Sequence, residues 1–256
     1  MKFMLGCHQP NWLGIVNIPW FVSVMRLLER KGRMFPVGLD VDWCMDSGGF
    51  SQILQHGRYS VSESQYLDII ERFGPPVAFC QDWMCESVML EKTGLTVREH
   101  QERTTASYLS MSYHCGVVRP VLQGWTPADY VRHAHEYASA GVDMGQLFGL
   151  GTVCSRNGSD DAPMLIVMAL HEAFPGIRLH GFGLKTNALW NTAVTSRLES
   201  ADSMAWSSRG RRMKLCQWGC KSQSCANCME YALLWRKHVV NGIGQHDRKS
   251  ILEFEI

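Results

Sequence analysis

A (β/α)8 (TIM) barrel with all strands parallel is the fold class that this chain predicts, and three observations predict it. Short apolar runs of strand length alternate at least seven times with stretches of helical length. Gly, Pro or a capping hydroxyl punctuates most of the junctions. The 256 residues suit one such barrel. This alternation implies parallel strands joined by crossover helices. An open doubly wound sheet is the runner-up, but the GxGxxG phosphate turn it usually carries after an early strand is absent. The expected organisation is a single domain over 1–256, with 209–240 as a small zinc-binding segment and terminal helix.

Taken in order, Lys2 to Cys7 reads as a strand and Pro10-Asn11-Trp12 as the loop after it. Trp20 to Lys31 has apolar residues at helical spacing and a basic last turn before Gly32, which predicts a helix. Met34 to Met45 reads as the strand that delivers Asp46. Ser62-Glu63-Ser64-Gln65 is a capping box for a helix that Gly74-Pro75-Pro76 stops. Val77 to Cys80 is a buried strand, and Thr96-Val97-Arg98-Glu99 opens the next helix. Val117 to Leu122 is a strand, and Thr126-Pro127 puts a Thr N-cap before a first-turn Pro. Met144 to Leu150, Ile177 to Phe182 and the piece beginning at Asp202 are the later strands. Helices are expected around Ala162 to Phe174, Thr186 to Leu198 and Met229 to Val240.

Composition excludes several classes. Apolar residues make up 46% and charged residues 19%, with net charge +1. Any contact with a polyanion must therefore come from a local patch. No apolar run approaches membrane-spanning length, and no basic n-region precedes an h-region, so a cytoplasmic location is expected. Six of the ten cysteines are scattered singly, whereas Cys216, Cys220, Cys225 and Cys228 fall close together. Four thiolates with a CxxC knuckle suit a closed tetrahedral zinc site that stabilises the fold. His238 on the following helix is an alternative to Cys216 as the fourth ligand.

Barrel active sites lie at the C-terminal ends of the strands. Those ends deliver Asp46, Asp82, Gln123, Gly149 to Gly151 and His180 to Gly183, while Asp202 stands at the start of its apolar run. Two carboxylates flanking one carbon are what glycosyl transfer with retention requires, one as nucleophile and one as acid and base. A further Asp and a Gln match the donor and acceptor pattern of a purine edge. Phe50 and His180 are flat rings between which a base can be sandwiched. Arg209, Arg211, Arg212 and Lys214 form a basic turn suited to phosphates beside Asp202.

Here a family resemblance enters. Asp46-Ser47-Gly48-Gly49-Phe50 resembles the signature of the tRNA-guanine transglycosylases, (β/α)8 barrels that exchange guanine for a 7-deazaguanine by double displacement. In the same order, Ala78-Phe79-Cys80-Gln81-Asp82, Val121-Leu122-Gln123-Gly124, Gly149-Leu150-Gly151, His180-Gly181-Phe182-Gly183 and Asp202 to Arg209 resemble further family segments. The resemblance implies Asp202 as nucleophile and Asp46 as general acid and base. It implies Asp82, Gln123 and Ser47 as readers of the base, with Phe50 and His180 around it. Gly149, Gly151 and Gly183 would present backbone near the 7-substituent. The short chain and the Cys216-x3-Cys220-x4-Cys225-x2-Cys228 spacing depart from the tRNA enzymes. They resemble the compact paralogues of phages and bacteria that insert 7-deazaguanines such as preQ0 into DNA. The expected partners are DNA and a free 7-deazaguanine base, and the expected cofactor is structural zinc. The same exchange on tRNA, and a non-catalytic zinc-stabilised nucleic-acid-binding protein, are the alternatives.

Overall fold

The computed structural model describes residues 1–32, 40–154, 161–213 and 224–243. Nine parallel strand segments are present among them: β1 (Lys2–Cys7), β2 (Trp20–Ser23), β3 (Trp43–Asp46), β4 (Val77–Phe79), β5 (Val118–Arg119), β6 (Val121–Leu122), β7 (Leu147–Leu150), β8 (Arg178–Gly181) and β9 (Ser200–Ser203). They form one sheet in the order β5-β4-β3-β2-β1-β9-β8-β7-β6. The two segments at the ends of that order are separated in the chain by Pro120 alone. Proline has no N–H to donate, so the ladder is interrupted there. Its carbonyl still accepts from Gly149 N at 2.8 Å. The sheet edges therefore meet at Pro120 in a nearly closed TIM-like barrel.

The helices that wrap it are held by local sequence. Helices α2 (Glu63–Phe73), α4 (Val97–His114) and α5 (Pro127–Ser139) each begin in a complete capping box, from Ser62, Thr96 and Thr126 respectively. Each such cap contributes about 1 kcal/mol. Tyr66 Oη donates to Phe79 O at 2.9 Å and Tyr137 Oη to Val121 O at 3.1 Å, which ties α2 and α5 to the barrel wall. The core runs without a break from Phe3 to Val239, and helix α10 (Met229–Gly242) joins it through Tyr231, Trp235 and Val239. Among the described residues no helix is long and apolar enough to cross a membrane.

Four expected elements differ. Trp20 to Lys31 is not one helix but β2 followed by a single 3-10 turn, Val24–Arg26. Trp20, Phe21 and Val22 are all buried, so both strand faces are covered and no alternation betrays the strand. The strand expected over Met34 to Met45 contracts to β3, and 33–39 lie outside the described residues. Asp202 does not open a strand. It is the third residue of β9, and the apolar stretch after it is helix α9 (Ala205–Arg212). The region Thr186 to Leu198 holds two short helices, α7 (Thr186–Trp190) and α8 (Thr192–Thr195), divided at Asn191, whose side chain accepts from Ala193 N at 2.9 Å.

Candidate active site

The Asp-Ser-Gly-Gly-Phe stretch joins β3 to helix α1 (Gly49–His56). Gly48 has φ +70° and donates its N–H to Asp46 Oδ2 at 3.0 Å. A side chain on Gly49 would place its Cβ 2.3 Å from Tyr59 Oη, so both glycines are required. The turn bends the backbone around Asp46 and sets Ser47 against the barrel interior. Phe50 stands on the first turn of α1, about half exposed.

Asp202 is buried on the far side of β1, opposite Met4 in the β1–β9 register. Its Oδ1 accepts from Gly183 N at 2.9 Å and lies 3.3 Å from His180 Nε2. Gly183 has φ +57°, which a side chain would strain. Asp202 Oδ2 has no hydrogen-bond partner among the described residues. The other ring nitrogen of His180, Nδ1, lies 2.8 Å from the Ser200 hydroxyl.

The third group is closed on itself. Asp82 Oδ1 accepts from Ser47 Oγ at 3.0 Å and Oδ2 from Gln123 Nε2 at 2.5 Å. Gln123 Oε1 in turn accepts from Thr152 Oγ1 at 2.6 Å. The Gln123 backbone N–H donates to His133 Nδ1 at 2.9 Å, and burial pushes that imidazole down to about 3, so it stays neutral. Gln101 Nε2 grips Gln123 O at 2.6 Å. Thr152, the one described non-glycine residue with positive φ (55°), also accepts from Cys85 N and faces the buried Glu86.

Burial acts on these carboxyls in one direction. It raises Asp46 to about 7, helped by the negative charges of Asp82 and Asp202. It raises Asp82 to about 6 against the opposing hydrogen bonds from Ser47 and Gln123. Asp46 is thus a carboxyl that holds or releases its proton near neutrality, as an acid–base group must.

A cavity of about 240 Å³ brings Asp46 and Asp202 together, with Phe21, His8, Arg26 and Met204 also in its wall. Phe50 and His180, the expected partners on the two faces of a base, do not line this cavity. His180 is wholly buried, and its ring already stacks on Phe21 at 5.0 Å with an interplanar angle of 15°. The rings in the cavity wall are those of Phe21 and His8. Gly149 and Gly151 are likewise close-packed. Cβ atoms there would lie 2.5 Å from Phe182 Cζ and 2.1 Å from Gln123 Nε2, so the two glycines fit protein side chains.

Sequence reasoning missed Thr152, Tyr59, His133, Phe21, His8 and Arg26. The sequence carries no signal for the first three, because their partners are distant in the chain. His8 follows β1, while Phe21 lies within β2 and Arg26 ends the turn after it, a placement that a correct assignment of β2 exposes.

Arg209, Arg211 and Arg212 lie in the last turn of α9, Arg211 and Arg212 exposed. Lys214, Cys216 and Cys220 lie outside the described residues. Cys225 and Cys228 are buried at the two ends of a 3-10 turn, and Tyr231 N donates to Cys228 Sγ at 3.5 Å. The Cys228 thiol in turn donates to Glu230 Oε2 at 3.3 Å, and two buried sulfurs on one turn are the donor type that a structural zinc takes. Among the described residues no three His, Cys, Asp or Glu side chains gather to hold a metal. His238 therefore does not join Cys225 and Cys228 in such a group; its ring packs edge-on against Trp190 at 5.1 Å.

A parallel barrel that brings two carboxylates to one cavity, with a closed donor–acceptor set beside them, is an architecture that suits glycosyl transfer through two carboxyls. The chain belongs to the DpdA family (DeoxyPurine in DNA protein A), whose match covers residues 1–252. This is a DNA 7-deazaguanine transglycosylase family related to the tRNA-guanine transglycosylases, so the resemblance read from the motifs holds. A search of curated proteins finds no match to the chain.

Proposed function

We propose that this protein replaces guanine in DNA with a 7-deazaguanine of the preQ0 type by double displacement. The observation that carries the reading is the shared cavity of Asp46 and Asp202, two carboxyls in contrasting environments. Asp202, held by Gly183 N with Oδ2 left open, is placed to attack C1′ of the target nucleotide. The bond to guanine N9 then breaks, and its electron pair leaves with the base while Asp46 gives up its proton to that base. The second half reverses the flow. Asp46 takes the N9 proton of the incoming base, N9 attacks C1′, and the bond to Asp202 breaks.

Base recognition falls to Asp82, Gln123 and Ser47, whose internal hydrogen bonds a purine edge would have to replace. Phe50 and His180 serve this pocket from outside and from beneath, His180 through its hydrogen bond to Asp202. Arg209, Arg211, Arg212 and Lys214 contact backbone phosphates. A target inside a duplex must first leave the stack, at a cost of a few kcal/mol. Cys216, Cys220, Cys225 and Cys228 would hold a zinc ion whose contribution is fold stability. One zinc per chain by elemental analysis is expected, and a folded protein without it overturns the zinc proposal.

The exchange itself is tested by incubating the protein with radiolabelled preQ0 and either guanine-containing DNA or tRNA. Label in DNA alone is the expected result. Label in tRNA alone reassigns the substrate, and label in neither contradicts the exchange.

A further inference from the structure

Arg26 ends the 3-10 turn that follows β2, and its guanidinium borders the cavity that holds Asp46 and Asp202. It is exposed, and it forms no hydrogen bond or ion pair with any described residue. An arginine that shares a cavity with two carboxylates and pairs with neither is a cation available to a ligand.

The sheet order supplies its counterpart. Strands run β2-β1-β9, so the chain ends leaving those three strands stand side by side. Arg26 follows β2, His8 follows β1, and Arg211 lies on α9 after β9. His8 is held firmly in the cavity wall beside Arg26. Its ring stacks on Trp206 of α9 at 5.3 Å, and its Nε2 hydrogen-bonds Asn227 Oδ1. Both guanidiniums lie near enough to His8 to disfavour its protonated form. Arg26 and His8 share the cavity wall, and the exposed Arg211 is within electrostatic reach of His8.

We propose that Arg26, in the wall of the cavity that holds Asp46 and Asp202, grips a backbone phosphate beside the target nucleotide and so sets its sugar over Asp202. Phosphates are the only anionic groups that flank a nucleotide in a strand, and a planar guanidinium matches them with two parallel hydrogen bonds. The same cation offsets the repulsion that Asp46 and Asp202 exert on an approaching polyanion. This assignment rests on the base-exchange reading of the cavity, but its test does not.

The test measures binding of a fluorescein-labelled oligodeoxynucleotide by anisotropy across a salt series, for the full chain and its Arg26→Gln, Arg26→Lys and Arg98→Gln variants. Arg98 is an exposed control on α4. Arg26→Gln is expected to weaken binding about 5- to 20-fold at low salt and to reduce the log–log salt slope by about 0.7–0.9, the loss of one phosphate contact. Arg26→Lys should recover most of the affinity, and Arg98→Gln should change neither quantity. In exchange assays Arg26→Gln should raise KM for DNA and leave KM for the free base unchanged. Wild-type affinity and slope in Arg26→Gln, or no measurable DNA binding by the unaltered protein, overturns the proposal. Arg26-dependent binding without any exchange instead sinks the base-exchange reading and leaves the phosphate contact standing.

Discussion

Two groups of strand-end carboxyls in this barrel use their hydrogen-bonding capacity very differently. Asp82 has both oxygens occupied, by Ser47 and Gln123, and Gln123 is occupied at both ends of its amide. Asp202 is bonded only through Oδ1, and with Asp46 it borders an open cavity. In the proposed exchange, that difference would separate recognition from chemistry. A closed polar set keeps its groups aligned and rejects any ligand that does not replace each bond, because every unreplaced buried group costs about 1–3 kcal/mol. A carboxylate with one oxygen open keeps a lone pair available for a reacting carbon.

The contrast can be broken at either end. Asp202→Asn should lower kcat by about 10⁴-fold or more and abolish any covalent adduct, as measured by single-turnover exchange. Asp82→Asn should leave DNA affinity within about twofold but lower kcat/KM for the base by about 10²- to 10³-fold, through unpaired buried groups rather than lost attack. A pH profile sharpens the comparison. With Asp46 required in its protonated form and its carboxyl raised to about 7, kcat/KM for DNA should fall as pH rises through that value. A rate that keeps rising well above it shows that another group supplies the proton.

The smallest effect concerns stability. Burial raises the folded-state carboxyl of Asp46 above its ordinary 3.8, so the unfolded chain loses that proton first as pH rises. Stability from this group is complete below about 4 and is lost as pH rises toward about 7. Asp46→Asn, which never ionises, should therefore raise Tm by about 2–6 °C at pH 8 and by much less at pH 4, read by thermal denaturation at both values.

Much of this arrangement was legible in the sequence. Asp46, Asp82 and Gln123 follow apolar runs with clear turn signals, so their positions at strand ends were readable. The capping box at Ser62 and the helix-start signals at Thr96 and Thr126 placed three helices correctly. Asp202 was harder, because β9 reads Ser-Ala-Asp-Ser and is wholly buried despite having little apolar character. Small polar residues facing a barrel interior leave no hydrophobic pattern to detect. β2 was obscured for the opposite reason, as a run of large apolar residues buried on both faces fits helix and strand alike. The closed set around Thr152 was unreadable, since it unites residues from 47 to 152 that only the barrel brings together. His180 shows the remaining limit. Sequence placed it at the site, but only packing shows its faces covered and its edge turned to Asp202.

The central claim is that Asp202 attacks while Asp46 moves the proton. It is tested most directly by trapping the enzyme with guanine-containing DNA in the absence of free base, digesting the complex and locating the nucleotide adduct by peptide mass spectrometry. The expected result is one adduct on the peptide that carries Asp202, absent from Asp202→Asn. An adduct on Asp46, or turnover in Asp202→Asn, contradicts it.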